Sequence, residues 1–336
     1  MVKYPRKAES KSKQLFRATI KERNRNMKKS VKATTAALCA IILATPFSMA
    51  AKANEPWEYS ESGEYISENT RSFSLSGDSY YDLSRSNYAS VRVMLDGTDI
   101  ISGLGRIINS VTYVPLRAFC DALGGATVTW EASTRTAKAK TDKVTVYAKQ
   151  GALYLRANDR YFYTVEPIAN IDGTLFVPIR PLAKAFGLEL EWDNSLRAVL
   201  LSSGGKIPVS GASFYKSDEV LWLARIIHAE AAGEPFDGKI AVGNVVLNRV
   251  RSPQYPNTIY GVIFDKKHGT QFSPVSFGTI YNTPSAESEI AAKICLEGYT
   301  LSEDALFFMN PKLATTSWIS QNRPYLFTIG NHLFYS

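Results

Sequence analysis

The sequence predicts an α+β protein built from two successive domains, and three observations support this prediction. The length of 336 residues suits about two domains of roughly 150 residues each. One part of the chain repeats itself and carries the alternating apolar pattern of β-strands, and the C-terminal part carries apolar residues at helical spacing. Hydrophobic residues at 45% and charged residues at 21% are ordinary for globular proteins, which excludes whole-chain disorder and coiled coil.

The net charge of +8 is the composition feature that would suggest a nucleic-acid partner. This excess belongs entirely to the first 53 residues, which hold 13 Lys and Arg against 2 Asp and Glu. The other residues hold 26 basic and 29 acidic side chains, a net charge of −3. The sequence therefore predicts no nucleic-acid partner for the remainder of the chain.

Residues 1–53 are predicted to be a basic leader and secretory signal peptide, with Met27 as an alternative start. Lys28 and Lys29 follow that methionine, residues 33–47 form a mostly apolar stretch, and Ala51-Lys52-Ala53 provides a cleavage site with small residues at its ends. A membrane-spanning helix needs about 20 apolar residues, so we expect no stable membrane anchor after signal cleavage. The protein is predicted to be secreted.

The chain after the leader offers no metal-binding or disulfide framework. Cys120 and Cys295 are expected to be separate core thiols, with a bridge between them as the open alternative. The sequence has no HExxH or CxxC motif, and its three histidines are far apart along the chain. We predict neither a metal nor a cofactor.

An internal duplication occupies residues 91–203, after a polar linker predicted at 54–90. The run YVPLRAF at 113–119 recurs as FVPIRPL at 176–182, an offset of 63 residues. Each copy predicts a short strand, a proline turn, a helix ended by glycine, and two strands joined by a turn that follows a Trp-acid pair. Two copies suit a compact pseudo-symmetric unit.

This duplication resembles the N-terminal stalk domain of the copper amine oxidase type. The resemblance implies a small α+β module of cell-surface proteins that serves as a spacer or adhesion unit, with peptidoglycan binding as an open alternative. It does not imply copper chemistry, because the chain offers no histidine copper site. Residues 204–213, with two glycines and a proline, are the predicted interdomain linker, and a second domain is predicted at 214–336.

Glu230 is the residue that suggests chemistry in the second domain. A helix is predicted to begin after an N-cap at Ser217 or Asp218 and to end at Gly233 and Pro235. Apolar residues precede Glu230 by seven, four and three positions, so its carboxyl extends the apolar face of the helix.

Loss of solvation at such a position raises a carboxyl pKa, and a protonated carboxyl near neutral pH is what a general acid in glycoside cleavage requires. The alternative is a structural buried glutamate satisfied by Arg225, Arg249 or a backbone amide. The next helix is predicted to end at Asn248 and Arg249, with the small residues Ala241 and Gly243 allowing close packing on the first. Glu234 and Asp237 fall at its N-terminus, where acids interact favourably with the helix dipole.

The second domain resembles the spore cortex-lytic, SleB-type cell wall hydrolase family over about 115 residues. The matching segments are ARIIHAEAAGEP at 224–235, GKIAV at 238–242, VVLNRV at 245–250, PNTIYGVIF at 256–264, ALFFMNP at 305–311 and IGNHLF at 329–334. The family commonly has arginine where this chain has Ala232, which bears on fine specificity. The resemblance implies a lysozyme-like, mainly helical catalytic domain at 214–336, and peptidoglycan glycan strands in the cell wall as its partner.

The implied reaction is cleavage of the β-1,4 bond between N-acetylmuramic acid and N-acetylglucosamine, with Glu230 as the acid and then the base of a lytic transglycosylase. An N-acetylmuramidase that uses water is the alternative, with Asp265 as the loop acid to test. A non-catalytic wall-binding protein is a further alternative. A peptide-cleaving enzyme is disfavoured, because the required Cys/His pair or zinc ligands are lacking.

The substrate groove is predicted from the loops after the helix pair. Gln271-Phe272-Ser273 resembles the segment with which lytic transglycosylases line their groove. Its amide and hydroxyl suit hydrogen bonds to sugar groups, and Phe272 or Tyr281 suits stacking on a sugar face. Asn310 and Trp318 lie in or beside the matching segments, and each aromatic residue is also a core candidate. A last helix is predicted from a Thr283-Pro284 cap through Glu297, with packing positions at Ala286, Ile290, Ile294 and Cys295.

Overall fold

The computed structural model describes residues 88–267, 271–314 and 316–336. The predicted leader, the signal peptide and most of the predicted 54–90 linker lie outside the described residues. The predicted α+β class is confirmed: the N-terminal part of the described chain is mostly sheet and the C-terminal part is mainly helical. Below, the stalk region means residues 91–203 and the C-terminal region means residues 214–336.

The strands of the stalk region form two sheets. The strands are β1 (Ala89–Leu95), β2 (Thr98–Asp99), β3 (Gly105–Ile108), β4 (Val111–Pro115), β5 (Thr127–Glu131), β6 (Thr136–Lys140), β7 (Thr145–Lys149), β8 (Tyr154–Ala157), β9 (Arg160–Tyr163), β10 (Ala169–Ile171), β11 (Thr174–Pro178), β12 (Leu188–Asp193) and β13 (Ala198–Ser203). The first sheet has the order β10-β11-β4-β3-β1-β13-β12, with β2 added on β1, and the second is the antiparallel meander β5 to β9. Strand β1 begins inside the predicted linker.

The two sequence copies meet at strands β4 and β11, which pair antiparallel. Val114 lies opposite Val177, and on either side of this pair Tyr113 lies opposite Pro178 and Pro115 opposite Phe176. Val114 and Val177 are equivalent under the 63-residue offset, and the pairs on either side of them are exchanged by it, so the pairing is symmetric about a local twofold axis at this pair. Each strand ends at its proline and continues directly into a helix, α1 (Leu116–Leu123) or α2 (Ile179–Ala185). The proline lacks the N–H that a further ladder bond would need, which helps to end each strand there.

The C-terminal region is a set of helices with one small sheet. The elements are α3 (Gly211–Phe214), α4 (Ser217–Ala231), α5 (Phe236–Arg251), α6 (Ile259–Ile263), α7 (Ser273–Phe277), a 3₁₀ turn (Thr279–Tyr281), α8 (Ala286–Leu296), β14 (Phe307–Met309), α9 (Trp318–Asn322), β15 (Tyr325–Ile329) and β16 (His332–Tyr335). The sheet has the order β14-β16-β15, and the three long helices α4, α5 and α8 pack on one another around a single apolar core. None of the helices in the described ranges is long and apolar enough to cross a bilayer.

Close packing of α4 on α5 depends on Gly243. A Cβ atom at this position would lie 2.9 Å from Ile227 Cδ1 on α4 and 2.7 Å from Cys295 Sγ on α8. The prediction that a small residue here permits close approach is confirmed. Cys295 is buried in this core and Cys120 in the stalk core, and both thiols are free, as the sequence analysis expected.

Several helix boundaries differ from the prediction. The N-cap of α4 is Lys216, which makes no side-chain cap and instead pairs with Glu219 at 2.9 Å, so the predicted Ser217 or Asp218 cap is wrong. Helix α5 continues past Asn248 and Arg249 to Arg251, because these two residues are buried and bond to the chain at 302–306.

The boundaries of α8 also differ. Ser285 caps the helix by accepting a hydrogen bond from Ser288 N, so the predicted cap at Thr283-Pro284 is wrong. The helix ends at Leu296 with Glu297 as its C-cap. Ala286 is exposed and does not pack, whereas Ile294 and Cys295 are buried as predicted.

Candidate active site

Glu230 lies in the last turn of α4, on the face that the helix buries. Leu223, Ile226 and Ile227 on the same face are fully buried, and Glu230 itself is half-buried. Within the described residues its carboxyl makes no ion pair or hydrogen bond, and burial raises the pKa of Glu230 to about 7. The rise that its helix position predicts is therefore present, and the buried carboxyl is not satisfied in the way that the structural alternative requires.

Arg249 on α5 is the cation that acts on Glu230. Its charge opposes the effect of burial on the pKa of Glu230, although burial remains the larger cause. The Arg249 side chain is itself buried, its Nε donates to Leu306 O at 2.8 Å, and its Nη1 has no hydrogen-bond partner among the described residues. From the sequence alone, Arg249 was predicted only as a structural partner of Glu230.

An aromatic cage holds the Arg249 guanidinium. Its central carbon lies 5.1 Å from the ring centroids of Tyr255 and Phe272 and 5.4 Å from that of Phe307. Such contacts compensate part of the lost hydration of a buried cation. Burial lowers the pKa of Arg249, and the negative charges of Asp265 and Glu230 act in the opposite direction. Arg249 is thus a fixed positive charge within electrostatic range of both carboxyls.

Arg225, the other basic residue considered as a partner of Glu230, is directed elsewhere. Its guanidinium lies 5.0 Å from the ring of Trp222, one turn earlier on α4, and its Nε has no hydrogen-bond partner among the described residues. Asp265 is half-buried, and its Oδ1 accepts a hydrogen bond from Lys267 N at 2.9 Å. It remains the loop acid that faces Arg249.

The two acids near the start of α5 have structural partners. Glu234 accepts hydrogen bonds from Asn331 N at 2.8 Å and Asn331 Nδ2 at 3.1 Å, which ties the β15–β16 turn to the segment after Glu230. Asp237 lies in the first turn of α5, as predicted, and accepts a hydrogen bond from Tyr163 OH at 2.6 Å.

Of the predicted groove residues, Phe272 is placed where it cannot stack on a sugar. Only 2% of it is exposed, and its ring lies against Arg249 and 6.4 Å from the Phe308 ring. This prediction is wrong because the ring fills the core beneath the guanidinium. Its neighbours are more open, since Gln271 is half-buried and Ser273, the first residue of α7, is exposed.

Tyr281 lies on an exposed aromatic surface that the sequence analysis missed. Its ring is 59% exposed and lies 6.2 Å from Trp222 of α4, whose ring also contacts Tyr260 at 5.2 Å. Tyr260 is 53% exposed. Tyr260 belongs to the PNTIYGVIF segment, which the sequence shows, but only the tertiary structure shows that Tyr260 and Tyr281 lie around the same Trp222 ring.

The other two predicted groove residues, Asn310 and Trp318, have partners close to them along the chain. Asn310 is half-buried, and its Oδ1 accepts from Lys312 N at 3.0 Å within a turn. Trp318 begins α9 with half of its surface exposed, and Arg323 lies 5.4 Å from its ring. Two surface pockets border Asn248 and Arg251, and Glu230 lines neither. The described residues also contain no group of three His, Cys, Asp or Glu side chains arranged for a metal ion.

Comparison with known families gives a class to each half of the described chain. Residues 233–335 match the Cell Wall Hydrolase family model, and residues 95–201 match the copper amine oxidase N-terminal domain model. The chain therefore carries a copper amine oxidase N-terminal domain followed by a cell wall hydrolase domain, as the two sequence resemblances predicted. The hydrolase match begins at residue 233, just after Glu230.

The similar curated proteins are spore cortex-lytic enzymes. The enzyme of Bacillus subtilis (strain 168) is 38% identical over 120 residues, which cover 36% of this chain and 38% of that enzyme. The enzyme of Oceanobacillus iheyensis is 35% identical over 132 residues, covering 39% of this chain and 46% of that enzyme. This chain thus matches less than half the length of these relatives.

A solved structure with a related sequence is the catalytic domain of the germination-specific lytic transglycosylase SleB from Bacillus anthracis. It is 37% identical, and the match covers 36% of this chain and 97% of that one, with a TM-score of 0.34.

Proposed function

We propose that this chain is an exported enzyme that degrades peptidoglycan by cleaving the β-1,4 bond between N-acetylmuramic acid and N-acetylglucosamine. The observation that carries the proposal is the half-buried carboxyl of Glu230, which has no hydrogen bond or ion pair in the described ranges and whose pKa is raised to about 7. The similarity of the C-terminal region to spore cortex-lytic enzymes supports the substrate class. Export is inferred from residues 1–53.

The proposed reaction is lytic transglycosylation with one carboxyl as acid and then base. Protonated Glu230 donates its proton to the glycosidic oxygen as the bond from that oxygen to muramoyl C1 breaks. The Glu230 carboxylate then takes the proton of the muramoyl C6 hydroxyl, and O6 bonds to C1 to close a 1,6-anhydro ring. The proton returns to Glu230, so the step consumes no water. A pKa near 7 suits a group that must act in both forms near neutral pH.

Arg249 contributes to the reaction by limiting the rise in the pKa of Glu230 that burial causes. Burial alone would raise the pKa of Glu230 further and make the carboxyl a weaker proton donor in the first step. The nearby positive charge favours the carboxylate and partly offsets burial. Since Arg249 is buried and anchored on Leu306 O, its charge stays in place during the reaction.

The groove is proposed to run past the loop that precedes α7. Gln271 and the exposed Ser273 offer an amide and a hydroxyl for acetamido and hydroxyl groups, and the exposed Tyr281 ring offers a face for sugar stacking. Asn310 and Trp318 stay predictions based on the family resemblance alone.

The test of Glu230 is the Glu230→Gln variant. It is expected to release no muropeptides from purified peptidoglycan while its unfolding transition remains cooperative, because Gln is nearly isosteric but cannot donate the proton. Glu219→Gln is the matched control, since Glu219 lies on the same helix and pairs with the exposed Lys216. Undiminished release by Glu230→Gln would remove Glu230 from the mechanism.

Mass spectrometry of the released muropeptides separates the proposal from its alternatives. Transglycosylation gives anhydro products one water lighter than hydrolytic products. Full-mass reducing ends, lost in an Asp265→Asn variant, would establish the muramidase that uses water with Asp265 as its second carboxylate. Binding of peptidoglycan without any release by the unaltered protein would establish a wall-binding protein instead.

A further inference from the structure

The β8–β9 hairpin of the stalk region contacts the C-terminal region through a buried ion pair. Arg160 Nε and Nη2 donate to Glu297 Oε1 and Oε2, both at 2.7 Å, in a two-pronged arrangement. The side chains of Arg160 and Glu297 are 12% and 3% exposed. Paired geometry of this kind is the strongest form of an Arg–carboxylate contact and carries little freedom of orientation.

Glu297 has further partners, so three segments meet on one carboxylate. Tyr215 lies in the chain between the predicted linker and α4, and its hydroxyl donates to Glu297 Oε1 at 2.8 Å. Lys184 Nζ of the stalk helix α2 lies 3.7 Å from Oε2. Loss of the Glu297 charge would leave the buried Arg160 without its counter-charge, which is strongly destabilising.

Aromatic contacts extend this interface to the start of α5. The Tyr163 ring of the hairpin lies 4.2 Å from the Tyr299 ring, and the Tyr163 hydroxyl donates to Asp237. The Tyr154 ring lies 6.1 Å from Phe236, the first residue of α5. The stalk hairpin therefore contacts the helix that begins directly after the Glu230 segment.

The predicted linker is attached to the same hairpin. Asn158 lies in the β8–β9 turn, and its side-chain Nδ2 donates to Pro208 O at 3.0 Å. Its main-chain carbonyl oxygen accepts a hydrogen bond from Gly211 N at 2.7 Å. A Cβ atom at Gly211 would lie 2.5 Å from Asp159 O, so the glycine serves close approach to the turn. These contacts hold the predicted linker against the β8–β9 turn of the stalk region.

We propose that the stalk region and the C-terminal region form one cooperative folding unit, joined by the Arg160–Glu297 ion pair and the aromatic contacts beside it. The stalk then holds the hydrolase domain in a single orientation, and it does not swing on a flexible linker. This inference does not depend on the reaction assigned to Glu230.

The two free cysteines provide a reporter for each region. Cys120 lies in the stalk core and Cys295 in the core of the C-terminal region. Burial raises the pKa of Cys120 to about 12 and raises that of Cys295, so neither thiol reacts readily while its region is folded. Pulse labelling with a thiol reagent across a urea series, followed by peptide mass spectrometry, gives an unfolding midpoint for each cysteine. Cys39 lies in a different tryptic peptide and does not interfere.

In the full chain we expect the two midpoints to coincide. Glu297→Gln should lower both midpoints by about 1 M urea and separate them, because the counter-charge of Arg160 is lost across the interface. The matched control Glu219→Gln removes half of an exposed ion pair and should leave both midpoints unchanged. Separate midpoints in the unaltered chain, or a Glu297→Gln effect no larger than that of Glu219→Gln, would overturn the proposal.

A second variant keeps the test informative if Glu297→Gln does not fold. Leu155→Ala opens a cavity in the stalk core on β8, far along the chain from Cys295. In one cooperative unit this variant lowers the Cys295 midpoint as much as the Cys120 midpoint. A lowered Cys120 midpoint with an unchanged Cys295 midpoint would show independent domains and would also overturn the proposal.

Discussion

The carboxyl of Glu230 is largely buried and has no hydrogen bond or ion pair within the described part of the chain, and this combination has a cost in stability. The native state holds the proton of this carboxyl up to a pKa of about 7, whereas the unfolded chain releases it near the ordinary value of 4.5. Between these values the native state binds more protons than the unfolded state. The stability of the protein therefore falls as the pH rises through this window, and the loss is complete above about pH 7.

Glu230→Gln is accordingly expected to be more stable than the unaltered protein at pH 8, by about 3 kcal/mol, and equally stable at pH 4. The reason is that Gln is neutral at both pH values, while the native glutamate must ionise in a poorly solvated place. Urea unfolding of both proteins at the two pH values measures the difference. A gain in stability that is equal at pH 4 and pH 8 would contradict the assigned cause.

Arg249→Met is expected to move the alkaline limb of the pH profile of glycan cleavage upward by about half a pH unit. Removal of the positive charge leaves burial unopposed, so the pKa of Glu230 rises and the acid form persists to higher pH. Arg249→Lys keeps a charge and should hold the limb near its original position. The pH midpoint of the alkaline limb does not depend on the fraction of protein that folds. A midpoint that stays in place or moves to lower pH in Arg249→Met would contradict the proposed effect of Arg249 on the pKa of Glu230.

At the scale of elements, the crossing of α4, α5 and α8 depends on one glycine. Gly243→Ala is expected to destabilise the protein by about 1–3 kcal/mol, although alanine favours helix more than glycine does, because its Cβ would overlap Cys295 Sγ and Ile227 Cδ1.

Gly233→Ala is the matched control for this substitution. Gly233 follows α4, and a Cβ atom at this position would meet no neighbouring atom within 4 Å. The stability of the Gly233→Ala variant should therefore be unchanged or slightly higher than that of the unaltered protein. Urea unfolding compares the two variants, and equal midpoints would show that the helices can separate at no cost.

The element boundaries show which local signals are dependable. In both duplicated copies, proline predicted the end of a strand and glycine predicted the end of the following helix. These predictions were accurate because the backbone preferences of proline and glycine act regardless of the surroundings. The caps of α4 and α8 were assigned less well, because several neighbouring polar residues compete for each cap. Helix α5 extends beyond its predicted end, because Asn248 and Arg249 donate hydrogen bonds to carbonyl oxygens of a loop more than fifty residues away.

At the scale of the whole molecule, the net charge of +8 describes two different parts. The excess is confined to the first 53 residues, and the rest of the chain has a net charge of −3. The duplication was also visible along the sequence, and the structure places its two copies about a local twofold between β4 and β11. The interface around Glu297 was not visible, because Arg160 and Glu297 are 137 positions apart and each resembles an ordinary surface charge.

The sequence by itself determined the α+β class, the duplicated stalk, the family of the C-terminal region and the position of Glu230 on a buried helix face. These depend on periodicity and motifs, which are properties of neighbouring residues. Only the tertiary structure decided that Phe272 belongs to the core beneath Arg249, that Tyr260 and Tyr281 share an exposed surface, and that the stalk hairpin binds Glu297. Burial and pairing between distant segments depend on how helices and sheets pack, and no local pattern encodes that packing.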